Sequence, residues 1–188
     1  MAIKRKRRRR RAFRQGDLDG LCGVYSVVNA VRSLCPEIRR DAAAWLFAEL
    51  LQSLLEAGAN PSRAVSSGIG RATLIALLRE AASSIENEYD VTLTFRRLPL
   101  PLRQTKKLDV LWVALSKAIS STTVAILGLG GTQSHWTVAV KVSDKQITLF
   151  DSSRMVVLRR SDCSVREMAT RTAIAPAYVI VVTRKAGD

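Results

Sequence analysis

Histidine is almost missing from this chain: among 188 residues there is one, His135. A single imidazole and no Cys-x-x-Cys pair leave a four-ligand zinc site without a source. Cysteine is scarce too, with Cys22, Cys35 and Cys163 only, which makes no disulfide framework. On one helix, Cys22 and Cys35 would stand roughly 20 Å apart, too far to bridge. Reduced thiols and a cytoplasmic location are therefore expected, or delivery to a host cell or nucleus if the basic N-terminus is a targeting signal. No apolar run approaches the ~20 residues of a membrane helix, which excludes a transmembrane segment of that kind. The N-terminus has charge where a secretory signal needs an apolar stretch, which argues against that route.

Acidic residues are absent from positions 1–14, where nine basic ones gather: Lys4, Arg5, Lys6, Arg7, Arg8, Arg9, Arg10, Arg11 and Arg14. The remainder holds 21 basic and 16 acidic residues, so most of the formal net charge of +14 belongs to the tail. Eight consecutive like charges repel one another, so residues 1–14 are expected to be a disordered basic tail and 15–188 one domain. Residues 4–14 could hold a polyanion, either nucleic acid or an anionic membrane, or simply solvate the chain. No aromatic residues interleave the run to stack bases, which gives no support to sequence-specific readout. With 47% of the whole chain hydrophobic, residues 15–188 have enough apolar material for a core.

The first half has helical periodicity. Val24, Val27, Val28, Val31, Leu34 and Cys35 share a face, and Pro36 ends it. A second helix is expected after an Asp41 cap, with Phe47, Leu50, Leu51, Leu54 and Leu55 inward and Gly58 as its stop. Asn60 to Gly70 reads as a loop, and Leu74, Leu77, Leu78, Ala81 and Ile85 mark a third helix. Then the period changes. Val91–Leu98 alternates as a strand that Pro99 and Pro101 end, and Leu108–Ile119 reads as a helix. Thr122–Leu127 reads as a buried strand before a flexible loop at Gly128, Gly130 and Gly131. Trp136, Val138, Val140 and Val142 predict a strand with one apolar face, with a turn near Asp144 and a return over Ile147–Asp151. Met155–Leu158 and Tyr178–Thr183 add further strands. Helices first and an antiparallel sheet second make an α+β class, with N-terminal helices packed on a C-terminal sheet.

Three features carry chemistry. Cys22 opens a predicted helix behind Gln15-Gly16-Asp17-Leu18-Asp19-Gly20-Leu21, and the free N–H groups of a helix start favour thiolate. Asp17 and Asp19 oppose that effect unless they point away, or they select basic or amine-bearing substrates. A lone cysteine there is, by default, a small buried hydrophobe. His135 opens a strand after a glycine-rich stretch and is the chain's sole candidate imidazole base. Asp151 lies one hairpin later, where the chain returns to the sheet end at which His135 begins; a carboxylate there would orient the ring. By themselves, Asp151-Ser152-Ser153 are an ordinary turn. Gly128-Leu129-Gly130-Gly131 lacks the spacing and following helix of a dinucleotide site. Asp17-x-Asp19-Gly20 lacks the later ligands of a calcium loop, so no cofactor is expected.

The order Gln15, Cys22, His135, Asp151, the Cys22-Gly23 pair and the His135-Trp136 strand followed by a hairpin to the acid resemble the papain-like cysteine peptidase superfamily, in particular bacterial C39-like peptidases with Cys-His-Asp triads. The resemblance spans residues 15 to about 158. It implies a papain-like fold with Gln15 as an oxyanion-hole side chain, Cys22 as nucleophile, His135 as base and Asp151 as orienter. It also implies a cysteine peptidase or isopeptidase acting on a protein or peptide. The superfamily's aromatic residue after the nucleophile is met only loosely, by Tyr25. Acyl transfer or glutamine deamidation by the same triad, and a catalytically inactive adaptor, are the alternatives.

Overall fold

A computed structural model describes residues 20–57, 60–100 and 107–185. Gln15, Asp17, Asp19, the basic run, Gly58 and Pro101 lie outside the described residues. The elements in chain order are α1 (Cys22–Leu34), α2 (Arg40–Glu56), α3 (Pro61–Ser67), α4 (Arg71–Tyr89), β1 (Leu93–Arg97), α5 (Leu108–Ala118), β2 (Thr123–Gly131), β3 (His135–Val142), β4 (Gln146–Phe150), β5 (Val157–Arg159), β6 (Cys163–Ser164) and β7 (Thr172–Arg184). The strands form one sheet in the order β1-β7-β2-β3-β4-β5, antiparallel throughout, with short β6 added parallel to β7. The class is α+β, helices packed on an antiparallel sheet.

The sheet's two-residue period divides the apolar residues between two cores. Val124, Ile126, Val138, Ile180 and Val182 face α1, α2 and α4. Their neighbours Ala125, Leu127, Ala139, Val179 and Val181 face α5. Strand β3 therefore has two buried faces rather than one, because α5 covers the side where Ala139 lies fully buried. The α1 stripe is as its spacing predicts: Val24, Val27, Val28, Val31 and Leu34 are all buried, each stabilising the fold by roughly 1.5–3 kcal/mol.

Four local expectations are corrected. Asn60 to Gly70 is not all loop: it holds α3, whose first-turn Arg63 N–H donates to the Asn60 side chain at 3.1 Å, with Pro61 at the helix start. Asp41 is not the cap of α2, because Arg39 is; Asp41 lies in the first turn. The buried stripe of α2 is Ala43, Leu46, Leu50 and Leu54, while Leu55 is exposed. Finally, Gly128 to Gly131 belong to β2, where Gly130 pairs with Ala173 and Gly131 with Thr172. Between Leu127 and Leu129 the register to β7 jumps from Val179 to Ile174, and Pro176 sits in the irregular stretch, where its missing N–H breaks no ladder bond.

Candidate active site

Cys22 is the first residue of α1. Leu21, at the N-cap, has no side-chain acceptor, so the helix's first N–H groups keep their partial positive charge beside the thiol. Two close approaches hold this corner. The Gly20 N–H donates to the Val65 carbonyl of α3, and a Cβ on Gly20 would meet Gly68 N at 2.5 Å. A Cβ on Gly23 would come within 2.5 Å of Ile69 Cγ1 and 3.3 Å of Trp136 Cδ1. The helix start is thus seated against the α3–α4 connection because both glycines lack side chains.

His135 is the first residue of β3, paired with Leu129 of β2. The next residue ties the strand to the start of α1 and to the α3–α4 connection. The Trp136 backbone N–H donates to Cys22 Sγ at 3.5 Å, and its indole Nε1–H donates to the Ile69 carbonyl at 2.9 Å. Asp151 directly follows β4, whose Phe150 pairs with Val138 of β3. The hairpin thereby returns the carboxylate to the end of β3 at which His135 starts.

His135 Nε2 and Asp151 Oδ1 are 2.6 Å apart, with side-chain exposures of 13% and 0%. The second oxygen, Oδ2, accepts from Ser153 N–H at 2.8 Å, Ser153 O–H at 2.6 Å and Met155 N–H at 3.2 Å. The turn after β4 is therefore both an ordinary turn and a clamp that fixes the carboxylate's orientation. The Cys22 thiol, which contacts the Gly20 carbonyl at 3.7 Å and the Trp136 N–H at 3.5 Å, lies close enough to the same imidazole to raise its pKa. With Nε2 engaged by Asp151, the ring atom left for the thiol is Nδ1.

Burial alone would lower the His135 pKa, but hydrogen bonds to Asp151 and Cys22 and their charges outweigh it, and the pKa rises from 6.5 to about 9. Asp151 moves the other way. Burial would raise it, yet the hydrogen bonds from His135 and Ser153 and the His135 charge hold it well below the usual carboxylate range. Both shifts describe an imidazolium–carboxylate pair at neutral pH. Cys35 and Cys163 are fully buried, and desolvation pushes each up to about 11.

Cys22 and His135 line a cleft of about 1230 Å³, with Asp151 behind the ring and outside its lining. One wall is Ser66 to Gly70, the other is the glycine end of β2 with Gln133 and Ser134, and Met168 and Tyr178 lie along the rim. Tyr178 packs on Trp136 with ring centroids 6.0 Å apart, and Gly128 makes room for both: a Cβ there would be 2.8 Å from Tyr178 Cβ. The structure thus brings Cys22, His135 and Asp151 together. Gln15 is outside the described residues. Tyr25 stacks on Phe47 of α2, ring centroids 4.7 Å apart. Sequence reasoning did not find the α3–α4 wall or the two hydrogen bonds of Trp136; Asn60-Pro61 was a legible helix start, but its contact with Gly20 was not. Among the described residues, no group of three or more His, Cys, Asp or Glu is placed to hold a metal ion. No helix there is long and apolar enough to cross a membrane.

No protein-family model matches the sequence, and comparison with curated proteins finds no match. Among solved structures, the crystal structure of the Pseudomonas avirulence protein AvrPphB is similar at 10% identity, over 88% of this chain and 91% of that one, with a TM-score of 0.33. That likeness is too loose to assign chemistry, which the side-chain geometry has to carry.

Proposed function

We propose that this chain is a papain-like cysteine peptidase or isopeptidase that cleaves an amide bond of a protein or peptide through Cys22, His135 and Asp151. The observation that carries the reading is the 2.6 Å His135–Asp151 pair, whose imidazole lines one open cleft together with the Cys22 thiol at a helix start. The Cys22 thiolate adds to the substrate carbonyl carbon, and the C=O electron pair moves to oxygen. The Cys22 backbone N–H, and in this reading the Gln15 side-chain amide, hold the oxyanion. The carbonyl re-forms as the C–N bond breaks, and His135 Nδ1 gives its proton to the leaving amine. Water then loses a proton to Nδ1 and adds to the thioester. The C–S bond breaks, releasing the acid and restoring the thiolate–imidazolium pair. A His135 pKa of about 9 supports the acid role, since the ring holds its proton at neutral pH until the amine takes it.

A fluorescent iodoacetamide at pH 7, followed by peptide mapping, tests the nucleophile. Cys22 is labelled first and Cys22→Ala is silent, because a thiol of pKa about 11 is only ~10⁻⁴ thiolate at that pH. Cys35 or Cys163 reacting as fast as Cys22 would overturn the assignment. Incubation with a chymotryptic peptide mixture tests the reaction: new amine termini that vanish in Cys22→Ala and His135→Ala mean hydrolysis. Deamidated or cross-linked glutamine without new termini would redirect the proposal to acyl transfer.

A further inference from the structure

Glu167 stands out in the cleft. Among the described residues lining it, Glu167 is the only Asp, Glu, Lys or Arg; Cys22 and His135 belong to the triad already described. Its carboxylate lies over Gly130: a Cβ built on that glycine would be 2.9 Å from Glu167 Oε1 and 3.7 Å from Cδ. Gly130 has no positive φ that would demand glycine, unlike its neighbour Gly131 at φ 69°. It pairs regularly with Ala173, so its missing side chain serves the space that the carboxylate occupies rather than a turn. Gly130 follows Leu129, which is the partner of His135 across β2 and β3, so the carboxylate lies over the strand position next to that pair. No ion pair holds Glu167 among the described residues, and its sequence neighbours Arg166 and Arg171 do not line the cleft. Met168 and Tyr178, both exposed large hydrophobics, lie on the same rim.

From this geometry we infer that Glu167, seated on Gly130, is a specificity residue that accepts a lysine or arginine side chain of the substrate close to the scissile bond. The aliphatic stem of such a side chain would run along Met168 and Tyr178 and its charged head would meet the carboxylate. An uncovered carboxylate in a half-open cleft gives a selectivity of about fivefold over a neutral side chain, within the range of solvent-exposed charge pairs. The inference rests on the hydrolase reading and names its substrate class.

The test digests a chymotryptic peptide mixture with the full chain and aligns the cleaved bonds by mass spectrometry on both sides. Lys and Arg are expected to be enriched about fivefold at one position within three residues of the cleaved bond. Glu167→Gln removes that enrichment through KM rather than kcat, Glu167→Arg turns it toward Asp and Glu at the same position, and Gly130→Ala weakens it by displacing the carboxylate. Cleavage with no basic enrichment, or with enrichment that Glu167→Gln leaves unchanged, overturns this subsite and leaves the hydrolase reading standing. No cleavage by wild type removes both.

Discussion

The sole histidine makes one perturbation unusually readable. In Asp151→Asn, the amide oxygen can keep the turn donors of Ser153 and Met155, so the local fold survives. Its NH₂ then faces His135 Nε2 and can only donate. The ring is driven to the neutral tautomer with its proton on Nδ1, so that Nδ1 cannot take the proton of the water that attacks the thioester. The carboxylate's hydrogen bond and charge are also lost, while the burial that lowers the pKa remains. The His135 pKa should therefore fall from about 9 to near or below the ordinary 6.5. Selective ¹⁵N-histidine labelling of the tag-free chain yields a single imidazole, whose two nitrogen shifts report pKa and tautomer together. Stability should follow by linkage. A histidine raised from 6.5 to about 9 stabilises the fold fully below pH 6.5, and that contribution is lost as pH rises through 9. Asp151, lowered in the fold, adds stability above its unfolded value near 3.8 that is lost as pH falls toward its folded value. The pair thus stabilises most between about pH 4 and 6.5. Urea unfolding should show a wild-type advantage over Asp151→Asn that shrinks by about 3 kcal/mol between pH 6 and pH 10. Peptide cleavage by the variant should fall by about 10²–10⁴. A wild-type ring titrating at 6.5, or an unchanged titration in the variant, would refute the reasoning.

Gly23→Ala should destabilise the chain by about 1–3 kcal/mol through overpacking against Ile69 and Trp136, measured by thermal unfolding, and should slow Cys22 alkylation because the helix start must move. Deleting residues 1–13 is expected to leave Cys22 reactivity intact and to remove most salt-sensitive binding to heparin or DNA, since the chain's longest run of cationic side chains, residues 4–11, goes with it. A truncated chain whose binding keeps its salt dependence would place polyanion recognition on the domain.

How much of this was legible beforehand follows from what each residue's role depends on. The α1 stripe from Val24 to Leu34 and the α4 stripe from Leu74 to Ile85 are short-range patterns, and burial follows the period that the residues print. The order Cys22, His135, Asp151 was readable for the same local reason: a helix start, a strand start and the far end of one hairpin. The places that misled depend on partners distant in the chain. Gly128 to Gly131 look flexible alone, and only pairing with β3 and β7 makes them strand. β3 looks one-sided until α5 covers its second face. The α2 stripe is rotated relative to its most apolar residues because α1 and α4, not propensity, choose the buried side. Short-range periodicity and chain order were thus determined by the sequence itself. The meeting of the thiol with the imidazole and the seat of Glu167 over Gly130 were decided only by tertiary structure, because each is a contact between segments whose separation in space no local pattern encodes.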